Sequence, residues 1–91
     1  PGSPRALDAA FLLGRLEEER ERGLPKALAW YEEYLANAPT GTFAAEALGR
    51  RMIATKTLTG ESAARPMAEQ YLRRFPGGTY AGAAQALLRA P

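Results

Sequence analysis

Clustered carboxylates are the first groups in this chain that could do chemistry: Glu17-Glu18-Glu19 and Glu32-Glu33. Acid-base catalysis needs two such groups in different environments facing one cleft. Adjacent residues on a helix project about 100° apart, so these clusters read as solvated surface. Ser3 and Ser62 are the two serines, and neither has a histidine base, because the chain contains no His and no Cys. Disulfides, thiolate nucleophiles and imidazole or thiolate metal sites are thereby excluded. The residues call for no cofactor and no metal, and the chain reads as a non-enzyme.

Other groups are better suited to binding. Pro76-Gly77-Gly78-Thr79 precedes a helical segment, where unpaired N–H groups can receive an anion. It lacks the lysine and spacing of a nucleotide loop, and Pro39-Thr40-Gly41-Thr42 stands in the same relation to an earlier segment, which reads as one turn used twice. Trp30, Tyr31 and Tyr34 crowd two helical turns, as a platform for stacking bases or sugars would. Yet Ala27, Tyr31, Tyr34 and Leu35 fall at i, i+4, i+7 and i+8, the stripe of a buried face that leaves Trp30 half exposed. The doublets Arg50-Arg51 and Arg73-Arg74 suit phosphates or a carboxylate tail. Arg73 and Arg74 end a helical segment, where cations suit the dipole anyway. Arg50 and Arg51 do not, and stay open as either partner contacts or surface.

The elements that must hold these residues are helices. Proline and glycine punctuate the 91-residue chain at Gly23-Leu24-Pro25, Pro39-Thr40-Gly41, Thr59-Gly60 and Pro76-Gly77-Gly78. The segments between them are rich in Ala, Leu, Glu and Arg. No stretch alternates with period two, so no strand is expected. Five helices follow. The first covers 5–22, with Glu17–Arg20 and Glu18–Arg22 at helical spacing. The second covers 25–37, with Pro25 in its first turn. The third covers 43–58, capped by Thr42, and the fourth 62–75, irregular where Pro66 meets its opening turn. The fifth starts at Thr79 and ends near Ala90. Pro1, Gly2 and Ser3 read as the remnant of a cleaved affinity tag.

These segments are self-similar. At a shift of 37, Ala27, Glu32, Tyr34, Leu35, Pro39, Gly41, Thr42, Ala44 and Ala47 recur as Ala64, Glu69, Tyr71, Leu72, Pro76, Gly78, Thr79, Ala81 and Ala84. Phe43 and Tyr80 correspond as aromatics. A two-helix period of this length marks a helical solenoid, in which each hairpin buries its apolar face on the next.

The pattern from Ala27 to Ala47, with Tyr34-Leu35 before Pro39 and Phe43-Ala44 opening the next helix, resembles tetratricopeptide-type repeats of bacterial envelope proteins: outer-membrane assembly lipoproteins, Tol-Pal accessory proteins and anti-sigma regulators. Tyr71-Leu72, Pro76 and Tyr80-Ala81 repeat it. The resemblance implies one all-α domain over residues 5–91, a right-handed superhelix of antiparallel helix pairs (5–38 and 42–75) closed by a capping helix (79–90). It further implies a concave face lined by the first helix of each pair: Leu12, Leu16 and Glu19, then Glu46, Gly49, Ile53 and Lys56, with Arg50 beside them. Aliphatic side chains flanked by both charge signs suit a peptide or a partner helix. The alternative is that Leu12, Leu16 and Ile53 stack one hairpin on the next.

The function expected is a non-catalytic protein-binding module within a larger bacterial envelope or regulatory protein. The other reading is a structural or self-associating segment, a homodimer through Leu87 and Leu88 of the last helix. Twelve basic against ten acidic residues leave a net charge of +2, far from a nucleic-acid binder, so no nucleic-acid partner is expected. The longest apolar run, Ala9 to Leu13, is too short to enter a membrane. The resemblance favours the periplasm, and a lack of cysteine is compatible with the cytoplasm as well.

Overall fold

The computed structural model describes residues 4–89. The expected tag remnant at Pro1–Ser3 and the expected helix end at Ala90 lie outside them. The described residues form five α-helices and no strand: α1 Pro4–Glu18, α2 Leu24–Asn37, α3 Ala44–Thr59, α4 Glu61–Arg74 and α5 Ala81–Arg89. Each helix packs on the next in chain order. The molecule measures 42 × 29 × 17 Å, so in its thinnest direction it is less than two helix diameters deep and every helix keeps an outward face.

The 37-residue period recurs in the bonding of the two turns. Tyr34 Oη accepts the Phe43 N–H at 2.9 Å, and Tyr71 Oη accepts the Tyr80 N–H at 3.1 Å. The helix ends match as well: Ala38 N–H donates to the Tyr34 carbonyl and Phe75 N–H to the Tyr71 carbonyl, both at 2.7 Å. Gly41 and Gly78 are required beside these hydroxyls, because a Cβ at either position would collide with the tyrosine Oη. Each buried tyrosine therefore clamps the start of the following helix.

That clamp corrects the expected caps. Thr42 does not cap α3, which begins at Ala44 with Phe43 at its N-cap and no side-chain cap bond. α5 likewise begins at Ala81, not Thr79. In both turns an i→i−3 bond comes first (Gly41 to Ala38, Gly78 to Phe75), which delays the helix, and the tyrosine hydroxyl takes the N–H a threonine would have neighboured. α1 stops four residues early, so Glu18–Arg22 is not a helical pair. Its end loosens into i→i−3 bonds at Glu19 and Arg20, Arg22 turns left-handed (φ 62°), and Gly23 folds against the Glu17 carbonyl, where no Cβ would fit. α4 runs unbroken through the exposed Pro66, without the irregular opening turn expected there. Gly60 alone links α3 to α4, with φ at 117°, a conformation that favours glycine.

The core has two parts. Ala10, Phe11, Ala27, Tyr31 and Tyr34 form the first, with Phe43 stacked on Phe11 at 4.4 Å. Leu48, Met52, Ala64, Tyr71, Ala84 and Leu87 lead the second, where the Tyr80 ring stands edge-on to Tyr71. Leu35 packs against both clusters and Leu72 against the second, each only partly buried. Trp30 is half-buried against the first.

Candidate functional site

α1 carries two apolar stripes. Leu7, Ala10, Phe11 and Gly14 face the core, where the Tyr31 ring lies on Gly14. On the opposite side Ala9, Leu12, Leu13 and Leu16, spaced i, i+3, i+4 and i+7, remain exposed. Leu12 is 52% exposed, Leu13 39% and Leu16 61%, and Ile53 on α3 is 36% exposed. Leu12, Leu16 and Ile53 are positions expected in a groove; Leu12 and Leu16 are more than half exposed, whereas Ile53 is partly packed. Leu13 joins them although the sequence reading left it out; its i+4 relation to Ala9 was the available signal.

Ile53 lies at the edge of a cavity of about 230 Å³, whose lining includes Glu18, Leu24, Arg50, Thr57 and Tyr80. One polar network organises its wall. Arg50 Nη1 donates to Glu18 at 2.5 Å and its Nε to Glu46 at 2.8 Å, while the Tyr80 hydroxyl donates to the same Glu46 oxygen at 2.6 Å. Four side chains from α1, α3 and the turn before α5 thus converge. Burial alone would raise the Glu46 carboxyl pKa, but the hydrogen bonds from Tyr80 and Arg50, with the Arg50 charge, bring it below its ordinary value. Burial, reinforced by Glu46, pushes the Tyr80 hydroxyl up to about 12. Burial opposes the Arg50 charge, yet Glu46 and Glu18 hold its pKa above the usual value.

The expected site residues therefore divide. Leu12, Leu16 and Ile53 offer apolar surface, and Glu19 and Lys56 are exposed charges. Arg50 and Glu46 are half-buried and bonded within the chain, which makes them a brace across three elements. Gly49 is buried beneath the Tyr80 ring, which a Cβ would strike, and offers no surface. Leu24 and Tyr80, which no short-range pattern linked to α3, complete the cavity.

Other candidates resolve clearly. Tyr31 and Tyr34 are buried and cannot stack a ligand. In the Gly77-Gly78 turn three N–H groups are bonded internally, Gly78 on Phe75, Tyr80 on Tyr71 Oη and Ala81 on Gly78. Leu87 is 3% exposed against α4, which leaves Leu88 alone of the proposed self-association pair at the surface. Among the described residues, no group of His, Cys, Asp or Glu is placed to hold a metal, and no helix is long and apolar enough to cross a membrane. Compared with protein-family models, with curated proteins and with solved structures, the chain finds no match.

Proposed function

We propose that the chain is a helical-repeat domain of tetratricopeptide type, coiled as a right-handed superhelix, which binds a partner peptide or helix within a larger bacterial envelope or regulatory protein. The observation that carries this reading is the exposed stripe Ala9, Leu12, Leu13 and Leu16 on α1. Its spacing is that of a helix-in-groove contact. The three leucines together expose the equivalent of about one and a half side chains. Covering them would remove roughly 300 Å² of apolar surface from water, worth roughly 7 kcal/mol at about 25 cal/mol per Å², an area well short of the roughly 800 Å² per partner of a stable dimer. A peptide-sized occupant fits that magnitude better than a second copy.

The test replaces Leu16 and Ile53 together by Glu. Both side chains face solvent, so the variant should keep its helical signal and melt within a few degrees of the wild type. A partner captured by the wild-type domain and cross-linked to α1 should be lost. A variant that unfolds, or one that retains the partner at full strength, defeats the assignment.

A further inference from the structure

The two arginine doublets are divided by the fold, and one member of each meets the other. Arg51 from α3 and Arg74 from the last turn of α4 line a second cavity, of about 260 Å³, together with Glu32, Leu35, Leu48 and Gln70. It shares no lining residue with the first cavity. Arg51 Nη2 donates to Gln70 Oε1 at 2.6 Å, and Arg74 Nη2 donates to the Pro39 carbonyl at 2.7 Å. Both acceptors are neutral. Among the described residues, neither guanidinium has a carboxylate at ion-pair distance. Arg51 Nε is buried with no acceptor at all. Burial lowers the Arg51 pKa from its ordinary value, and the Glu32 charge offsets this only in part. Two cations thus border one recess that contains apolar walls and a single acidic group, a setting in which an incoming anion would be strongly favoured.

We propose that the Arg51–Arg74 cavity binds a carboxylate joined to a small apolar group, such as the C-terminus of a peptide ending in an aliphatic residue or a small branched acid. Two guanidinium charges less that of Glu32 leave one net positive charge, which matches a monoanion better than a phosphate dianion. Gln70 accepts through Oε1, so its Nε2–H groups remain to donate beside the Arg51 edge, and two donors side by side suit the two oxygens of a planar carboxylate. Leu35, which is only partly buried, would cover the hydrocarbon portion. This site goes beyond the α1 surface and does not depend on it.

The experiment is a titration of the isotope-labelled domain, followed by amide NMR shifts, with N-acetyl-leucine, N-acetyl-leucinamide and inorganic phosphate. N-acetyl-leucine should shift the amides of Arg51, Gln70 and Arg74 saturably, and the amide analogue should not. Arg74→Gln should weaken binding about tenfold, the effect of losing one charge-assisted hydrogen bond. Glu32→Gln, a change at an exposed position, should strengthen it several-fold and keeps the test decisive if the arginine variant folds poorly. An acetylated tetrapeptide ending in leucine that binds more tightly than N-acetyl-leucine identifies a peptide terminus as the source, and equal binding identifies the small acid. Equal binding of the amide analogue, preference for phosphate, or weaker binding by Glu32→Gln would overturn the proposal.

Discussion

Three tyrosines are buried almost completely, Tyr31, Tyr34 and Tyr71, and their hydroxyls have different fates. Those of Tyr34 and Tyr71 accept the backbone N–H of Phe43 and Tyr80, whereas Tyr31 Oη is buried beside Glu18 and Arg50 without a hydrogen bond of good geometry. Replacing each by Phe keeps ring and packing and removes only the oxygen. In Tyr34→Phe and Tyr71→Phe an N–H at the start of a helix loses its acceptor in a part-buried turn, which costs about 1–2 kcal/mol. For a domain of this size that lowers the melting temperature by roughly 4–15 °C. The two sites belong to different core clusters, so the double variant should lose the sum within about 0.5 kcal/mol. Tyr31→Phe removes an oxygen that only neighbours Glu18 and Arg50 and should cost less than about 0.5 kcal/mol. Urea unfolding followed by circular dichroism would report these as shifts of midpoint at constant slope. If Tyr34→Phe and Tyr71→Phe cost no more than Tyr31→Phe, the hydroxyl clamps do not hold the turns, and the equivalence of the two turns has no energetic content.

Two further outcomes follow from the same contacts. Gly49→Ala should cost about 1–3 kcal/mol despite the better helix propensity of alanine, because the Tyr80 ring above it is tethered at both ends, whereas Gly82→Ala in exposed α5 should gain about 0.5 kcal/mol; thermal unfolding of the two variants measures both. Stability should also fall at both extremes of pH. The depressed Glu46 pKa contributes stability that is present above the ordinary 4.5 and lost as pH falls through the lower folded value, and the raised Tyr80 pKa contributes stability that is present below 10 and lost as pH rises toward about 12. In Glu46→Gln a denaturant midpoint followed against pH should flatten in the acid limb, and an unchanged limb would remove Glu46 from the brace.

Helix content was legible because every break coincides with proline or glycine, at 23–25, 39–41, 60 and 76–78. The helix ends were less so, since they depend on distant groups. Glu18 sits at helical spacing from Arg22, a local signal to continue α1, but in the fold its carboxylate is taken by Arg50, 32 residues away. Thr42 and Thr79 have the side chains of caps, but the helices begin only at Ala44 and Ala81, and the N–H directly after each threonine is bound by a tyrosine hydroxyl from nine residues earlier. The exposed stripe on α1 was partly anticipated: Leu12 and Leu16 were expected as groove positions from the resemblance to tetratricopeptide-type repeats, not from their spacing.

The arginine doublets show why the rest was hidden. Neighbours on a helix diverge by about 100°, so a doublet in sequence is seldom one site in space. Arg50 turns to Glu18 and Glu46 and becomes a brace between α1 and α3, while Arg51, the next residue, turns to Gln70 on α4. Arg74 reaches back to the Pro39 carbonyl and Arg73 stays at the surface. The pair that shares a cavity, Arg51 and Arg74, is 23 residues apart and joined by no motif. Only the packing of α3 against α4 brings them together, and that packing is set by Leu48, Met52, Ala64, Ala68 and Tyr71, residues with no charge and no chemistry of their own. In an all-helical domain whose helices pack in chain order, the chemistry of a surface is therefore decided by the apolar residues beneath it, which fix the rotation of each helix and with it the charges that become neighbours.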